Sequence, residues 1–413
     1  MLSRRQFLHT LAAVPAVSFL NHYHALAAPE RGRVKIRDIK SMVFQGPDRN
    51  YTLVRVDTDA GVHGIGEGYG SPGIGIKEGI EELKPEFIGK DPLEIDALIT
   101  GLGRRTDGSA LQLMRSVAGI EVALWDLAGK VLNTPTTTLL GGRFRNRVRV
   151  YDHEAPKNML DKASCREWAQ KVKSDPSGFT CHKFGPQHTN AKQDQGRDLA
   201  NRRLSTQELR QIRQGFENCR EAVGWDHDIM VHCHWEYDLR TSIELAEAVE
   251  GIKPLWLEDP LPVAYSESWR QLSEAARVPI CTGENWMRRA EALPFVVNRG
   301  CDIVHVDIRN TGGFLETKRL ADLADLYAMP VANHNTGSLV NTWATVQWGA
   351  TVRDYMSCET IIGKRDWMDQ VLVHDGWMVK DGFVEMPNKP GLAIELNPDV
   401  VKAHLAKGEV WWG

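Results

Sequence analysis

Ile229-Met230-Val231-His232-Cys233-His234, Pro254-Leu255-Trp256-Leu257-Glu258-Asp259 and Pro279-Ile280-Cys281-Thr282-Gly283-Glu284 are three short apolar runs. Each ends in a side chain able to ligate a metal. His232 to Glu258 is 26 residues, and Glu258 to Glu284 is 26 again. One strand–loop–helix–loop unit has about this length, so equal spacing predicts equivalent positions on neighbouring parallel strands. The tips of His232, Glu258 and Glu284 then converge on one ion.

The same alternation extends outward from this stretch. Strands are predicted at Val148–His153, Phe179–Phe184, Ile229–His234, Leu255–Glu258, Pro279–Gly283, Asp302–Asp307, Pro330–His334 and Tyr355–Glu359. Helical patterns separate them, among them Thr241–Val249, Ser266–Ala276, Met287–Asn298 and Leu315–Tyr327. Eight such units predict an α/β fold with a (β/α)8 barrel over residues 147–375, whose active site lies at the C-terminal strand ends. Lys183, His232, His234, Glu258, Glu284, Asp307, His334 and Glu359 all fall at those ends. A polar insert, residues 186–204, follows the second strand and reads as a lid.

Before the barrel, strands at Val34–Phe44, Tyr51–Asp57 and Val62–Glu67 lead to helices at Ile76–Ile88, Pro92–Gly101 and Ala110–Leu132. Residues 29–146 thus form an α+β capping domain. Ile120–Lys130 is apolar on nearly every face and so buried. The glycine-rich Gly68–Gly75 lacks a phosphate-loop lysine and a strand–glycines–helix context, and reads as a mobile loop. Residues 376–413, with short strands at Gly376–Lys380 and Gly391–Glu395, are expected to return to the cap.

Bulk properties exclude several classes. A chain of 413 residues implies two domains. A net charge of -4 argues against a nucleic-acid partner. No apolar run reaches the roughly 20 residues of a membrane span. The first 28 residues look like a secretory signal: Ser3-Arg4-Arg5-Gln6-Phe7-Leu8, a weakly apolar middle, then Ala25-Leu26-Ala27-Ala28. The arginine pair resembles the twin-arginine type, which predicts a periplasmic protein. Removing Arg4 and Arg5 takes the charge from -4 to -6. The seven cysteines include no C-x-x-C pair, so no disulfide framework is expected.

Cap, barrel and ligands at strands three, four and five with this spacing resemble the enolase superfamily, and within it the mandelate racemase subgroup. Asp307, His334 and Glu359 follow Glu284 by 23, 50 and 75 residues. Those offsets, with His234 two past the first ligand position, are most similar to the galactonate and mannonate dehydratase branch. The resemblance implies an oligomeric, metal-dependent lyase acting on a small-molecule sugar acid or other hydroxy acid. It abstracts the α-proton and eliminates water to a 2-keto-3-deoxy acid. A divalent cation on the substrate carboxylate stabilises the enediolate. His334, oriented by Asp307, is the base. His234 is the acid for the leaving hydroxyl. Glu359, if protonated, hydrogen-bonds the substrate carboxylate or the enediolate. Lys183 neutralises the carboxylate or serves as an opposite-face base, which would make a racemase or epimerase.

His232 is a departure, because the family places an aspartate there. Mg²⁺ is expected from the family, but imidazole suits Zn or Fe better and tolerates Mn. Weak Mg²⁺ binding, a transition metal, or a metal-free sugar-acid binding protein stay open at this point.

Overall fold

The computed structural model describes residues 18–69, 75–102, 113–189 and 201–412. The arginine pair, the middle of the glycine-rich loop and residues 190–200 of the insert lie outside the described residues.

The cap begins with an antiparallel meander, β1 (Ile36–Gln45), β2 (Asn50–Thr58) and β3 (His63–Gly68). In β3 glycine occupies every second position, 64, 66 and 68. Alternation turns these three to one face, and the buried helix Met114–Val131 lies against it. A Cβ at Gly66 would sit 2.3 Å from the Gly119 carbonyl oxygen, and one at Gly64 would sit 2.0 Å from that of Ala123. Only a strand without side chains on this face allows so close an approach. The opposite face of β3 then carries Glu67, which is fully buried toward the barrel. The same helix docks on the barrel through Glu121. Its carboxylate accepts the free N–H groups of Phe314 and Leu315 at 2.8 and 2.9 Å, at the start of the helix Phe314–Leu326.

Eight parallel strands follow. They are β4 (Arg147–Tyr151), β5 (Cys181–Phe184), β6 (Asp228–His232), β7 (Leu257–Glu258), β8 (Ile280–Thr282), β9 (Ile303–Val306), β10 (Val331–Asn333) and β11 (Tyr355–Glu359). Neighbours pair in parallel from β5 through β11 and on to β4, with one register shift between β10 and β11. A single parallel bridge between Asp152 and His182 closes the ring. A hairpin, β12 (Val379–Lys380) and β13 (Phe383–Glu385), extends the edge of β4 antiparallel.

The barrel interior has its own small core: Tyr151, Cys181, Met230, Trp256, Cys281, Ile303 and Ala332. These residues form a floor. The strand period of two puts the next inward side chain two positions later. Two past Tyr151 is His153, two past Cys181 is Lys183, and two past Met230 is His232. Two past Trp256, Ile303 and Ala332 are Glu258, His305 and His334. The layer above an apolar floor is therefore ionisable nearly all the way round.

The tail differs in detail from the sequence expectation. Gly391–Glu395 is not a strand, and the hairpin forms instead at 379–385 on the barrel. Residues 391–412 do touch the cap: Leu392 N–H donates to Asp126 at 2.7 Å, Ala406 N–H to the Val43 carbonyl at 2.9 Å, and Lys77 pairs with Glu409 at 2.7 Å. An N-terminal helix, Ser18–Ala27, packs Tyr23 on Trp125, and the Tyr23 hydroxyl donates to the Leu93 carbonyl at 2.6 Å. All seven cysteines are buried and free.

Overpacking a well-filled contact costs about 1–3 kcal/mol. Gly66→Ala should therefore lower unfolding free energy by about that amount in urea. An unchanged midpoint would show that β3 does not depend on the missing side chain.

Candidate active site

Lys183 is the centre of the buried charge. Its ammonium lies 2.7 Å from Glu258 Oε1 and 2.9 Å from Glu359 Oε2. Burial disfavours that charge, but the two carboxylates outweigh it and raise the lysine above its ordinary range. Burial likewise opposes ionisation of Glu258, yet Lys183, His305 and His232 hold its carboxyl well below the usual range. Glu258 spends both oxygens. Oε1 faces Lys183 Nζ and His232 Nδ1, the latter at 2.8 Å, and Oε2 accepts the Trp256 indole N–H at 2.8 Å.

Three carboxylates crowd one side. Glu258, Asp259 and Glu284 place ligand oxygens within 4.8 Å of one another. Asp259 Oδ1 accepts the Thr282 hydroxyl, whereas Asp259 Oδ2 and Glu284 Oε2 are buried without hydrogen-bond partners. Burial, then the charges of Glu284 and Glu258, push the Asp259 carboxyl well up. Burial also raises Glu284, against the pull of His334 and Lys183. Orphaned, mutually repelling oxygens are what a hard cation relieves, and a three-carboxylate set suits a divalent metal. Another group, Glu258 with Cys281 and His305, lies deeper. Burial drives its thiol well up, away from the thiolate a metal needs.

His232 touches this oxygen set only through Glu258. Its Nδ1 faces Glu258 and its Nε2 lies 2.8 Å from His234 Nε2. Burial, and then the Lys183 charge, bring His232 down to about 4, and burial also lowers His234. The His232 ring is thus neutral near pH 7. Of the three residues aligned by the 26-residue spacing, the structure brings Glu258 and Glu284 together and exchanges His232 for Asp259. Asp259 reaches the cluster because its backbone is left-handed, with φ of 48°. Strand periodicity carries no signal of that.

On the other side stands the pair expected from adjacent strands. His334 Nδ1 donates to Asp307 Oδ2 at 2.8 Å. Its Nε2 lies 3.6 Å from Glu284 and 4.0 Å from Glu359. Burial would lower this imidazole, but the two glutamates and the Asp307 bond raise it to about 10. Asp307 is held down, despite its burial, by Arg309, whose side chain grips it at 2.9 and 3.2 Å. The Arg309 backbone N–H donates to it as well, at 2.8 Å.

Arg309 also spans the two domains. Its Nη1 lies 3.1 Å from Glu67 of β3. Glu67 is itself bonded by the Ser338 hydroxyl and N–H. The Tyr69 ring is sandwiched between Arg309 at 4.8 Å and Arg115 at 4.5 Å. Arg115 continues through Asn310 to the Glu284 carbonyl, over bonds of 2.9 and 2.8 Å.

Glu359 completes the mouth. Lys183, the Tyr151 hydroxyl at 3.3 Å and the Asn335 N–H at 3.3 Å share Oε2, while His153 Nε2 pairs with Oε1. These partners outweigh burial and hold the carboxyl well below its usual range, so it is an anion rather than a protonated donor. Sequence reasoning passed over His153, although it ends the first predicted strand. It also missed His305, whose Nε2 meets the Tyr151 hydroxyl at 2.9 Å beneath Glu258. The available signal was the two-residue step from the floor.

Comparison with known proteins gives the family. Residues 34–141 match the model of the mandelate racemase/muconate lactonizing enzyme N-terminal domain, and residues 165–400 match the enolase C-terminal domain-like model. The chain is 34% identical to a D-xylonate dehydratase of Haloferax volcanii, over 92% of each chain. It is 28% identical to a D-galactonate dehydratase of Verminephrobacter eiseniae, covering 87% of this chain and 91% of that one. A mandelate racemase/muconate lactonizing enzyme-like protein from Rubrobacter xylanophilus superposes with a TM-score of 0.84 at 28% identity, over 92% of this chain and 99% of the other. The chain therefore belongs to the mandelate racemase/muconate lactonizing enzyme family of the enolase superfamily.

Proposed function

We propose that this protein is a sugar-acid dehydratase, a hydro-lyase forming a 2-keto-3-deoxy acid. The observation that carries this is the His334–Asp307 pair, whose Nε2 faces the carboxylate cluster at the barrel mouth. Asp307 fixes the proton on Nδ1, so Nε2 is the atom that accepts a proton. The surrounding anions raise that ring to about 10, which keeps it protonated near pH 7; a cation neutralising Glu284 and its neighbours would bring it down toward the range in which Nε2 takes up the α-proton. Lys183 stays charged between two glutamates and supplies positive potential to a substrate carboxylate. The same pairing argues against it as a base for racemisation. His153, held by Glu359, orients the acid end, and His234, exposed at the mouth, protonates the departing hydroxyl.

Glu258, Asp259 and Glu284 would hold a divalent cation, and their all-oxygen character favours Mg²⁺ over softer metals. When bound, such an ion stabilises the second negative charge of the enediolate. A xylonate dehydratase among the relatives makes pentonic acids the first substrates to try. Homo-oligomers are proposed by resemblance alone.

Purified protein supplied with Mg²⁺ and a panel of pentonic and hexonic acids should yield a 2-keto-3-deoxy product from at least one. Failure with every acid would overturn the dehydratase reading. The two histidines should separate in deuterated solvent. His234→Asn should retain exchange of the α-proton while elimination falls by about 10²–10⁴-fold, the usual worth of a general acid. His334→Asn should lose both. Equal loss of exchange in the two variants would refute the division of roles.

We further propose export to the periplasm, supported by Arg4, Arg5 and the A-L-A-A stretch at 25–28. Fractionation of the native cell should place the protein outside the cytoplasmic membrane in a twin-arginine-dependent manner. Recovery in the cytoplasm alone would contradict it.

A further inference from the structure

The contact between His232 and His234 lies beside the carboxylate cluster and is joined to it through Glu258. Backbone bonds explain why it forms. Cys233 N–H donates to the Glu258 carbonyl at 2.9 Å and Trp235 N–H to that of Asp259 at 2.7 Å. Parallel pairing therefore continues past β6, and residues 232 and 234 share one face of an extended segment. Trp235, with φ of 61°, then turns the chain away. The two rings end up edge to face, centroids 4.1 Å apart, with their Nε2 atoms 2.8 Å apart.

Glu258 fixes the orientation of the His232 ring. Its Oε1 lies 2.8 Å from His232 Nδ1, which turns the opposite nitrogen, Nε2, toward His234. Two imidazole nitrogens bound side by side to one ion, each at about 2.0–2.1 Å, lie about 3 Å apart. The observed pair needs to open by only a few tenths of an ångström, and His234 is exposed and has room to move. A carboxylate on the far nitrogen of a ligating histidine is also the usual support for a metal-bound imidazole, and Glu258 provides it.

We propose that His232 and His234 form a nitrogen-ligand site for a divalent transition-metal ion, distinct from the oxygen set of Glu258, Asp259 and Glu284. The half-open position leaves the remaining coordination sites to water or to substrate oxygens. Soft and borderline ions such as Zn²⁺, Ni²⁺, Cu²⁺ and Co²⁺ fit it, and Mg²⁺ does not. An ion there and a transferable proton on His234 Nε2 exclude each other. Binding itself does not depend on the dehydratase reading, because it requires only the two rings and their carboxylate support.

Co²⁺ added to the purified full-length protein in the presence of excess Mg²⁺ tests this directly. Visible d–d bands should appear, persist in Glu284→Gln and vanish in His234→Asn. Pulsed EPR of bound Cu²⁺ should count two imidazole nitrogens in the parent protein and one in His234→Asn, and this readout needs no catalytic activity. Bands that survive His234→Asn, that vanish in Glu284→Gln or under Mg²⁺, or a Cu²⁺ spectrum with fewer than two imidazoles would each overturn the site. Circular dichroism identifies a variant that fails to fold, and the nitrogen count in the parent protein then decides alone.

Discussion

Arg309 holds two buried carboxylates from different domains on one guanidinium. Glu67 comes from the cap and Asp307 from the barrel, and all three are almost wholly excluded from solvent. Leaving one member of such a set unpaired in the interior costs about 3–5 kcal/mol. The triad is therefore stable only when the cap is seated and Asp307 is in place. That couples domain closure to the orientation of His334, because Asp307 gives its remaining lone pair to that ring. The glycines of β3 belong to the same chain of causes. They bring the strand against its helix so that Glu67, on the other face, reaches the arginine.

The rest of the mouth obeys the same rule about buried charge. Lys183 neutralises the Glu258 and Glu359 side, whereas Asp259 and Glu284 keep unpartnered oxygens. A cation is the missing counter-charge on that second side. The asymmetry divides the site: a lysine-stabilised half, proposed to receive the substrate acid group, and an oxygen-rich half, which would hold the proposed ion. His232 stands at the boundary and faces the first half and His234 rather than the second. Replacing an aspartate with a neutral ring removes one negative charge, and Asp259 restores an oxygen to the cluster.

Much of this was legible in the chain. The pairing of Asp307 with His334 came from the family resemblance, whereas the barrel and its strand ends follow from a regular spacing of short apolar runs, because each unit has a similar length and each strand projects its last inward residue toward the same mouth. Lys183, Glu258, Glu284 and Glu359 were found for that reason. His153 and His305 were within reach of the same rule, since each lies two residues beyond a floor residue. They were missed because an isolated histidine in an apolar strand looks like core. The tail hairpin at 379–385 was misplaced because two short strands separated by a turn can pair with any open edge.

Other features have no local signature. Glu67 and Arg309 are 242 residues apart, and nothing near either names the other. Asp259 joins the oxygen set through one left-handed residue, which the strand period does not encode. The two roles of His232 were equally compatible with its position, as ligand beside Glu258 and Glu284 or as partner to His234. The sequence by itself determined which strand ends carry charge, because periodicity along a strand is a one-dimensional property. Which of those charges meet was decided only in the folded structure. There each buried polar atom competes in three dimensions for the few partners in reach, and the cost of leaving one unpaired selects the arrangement.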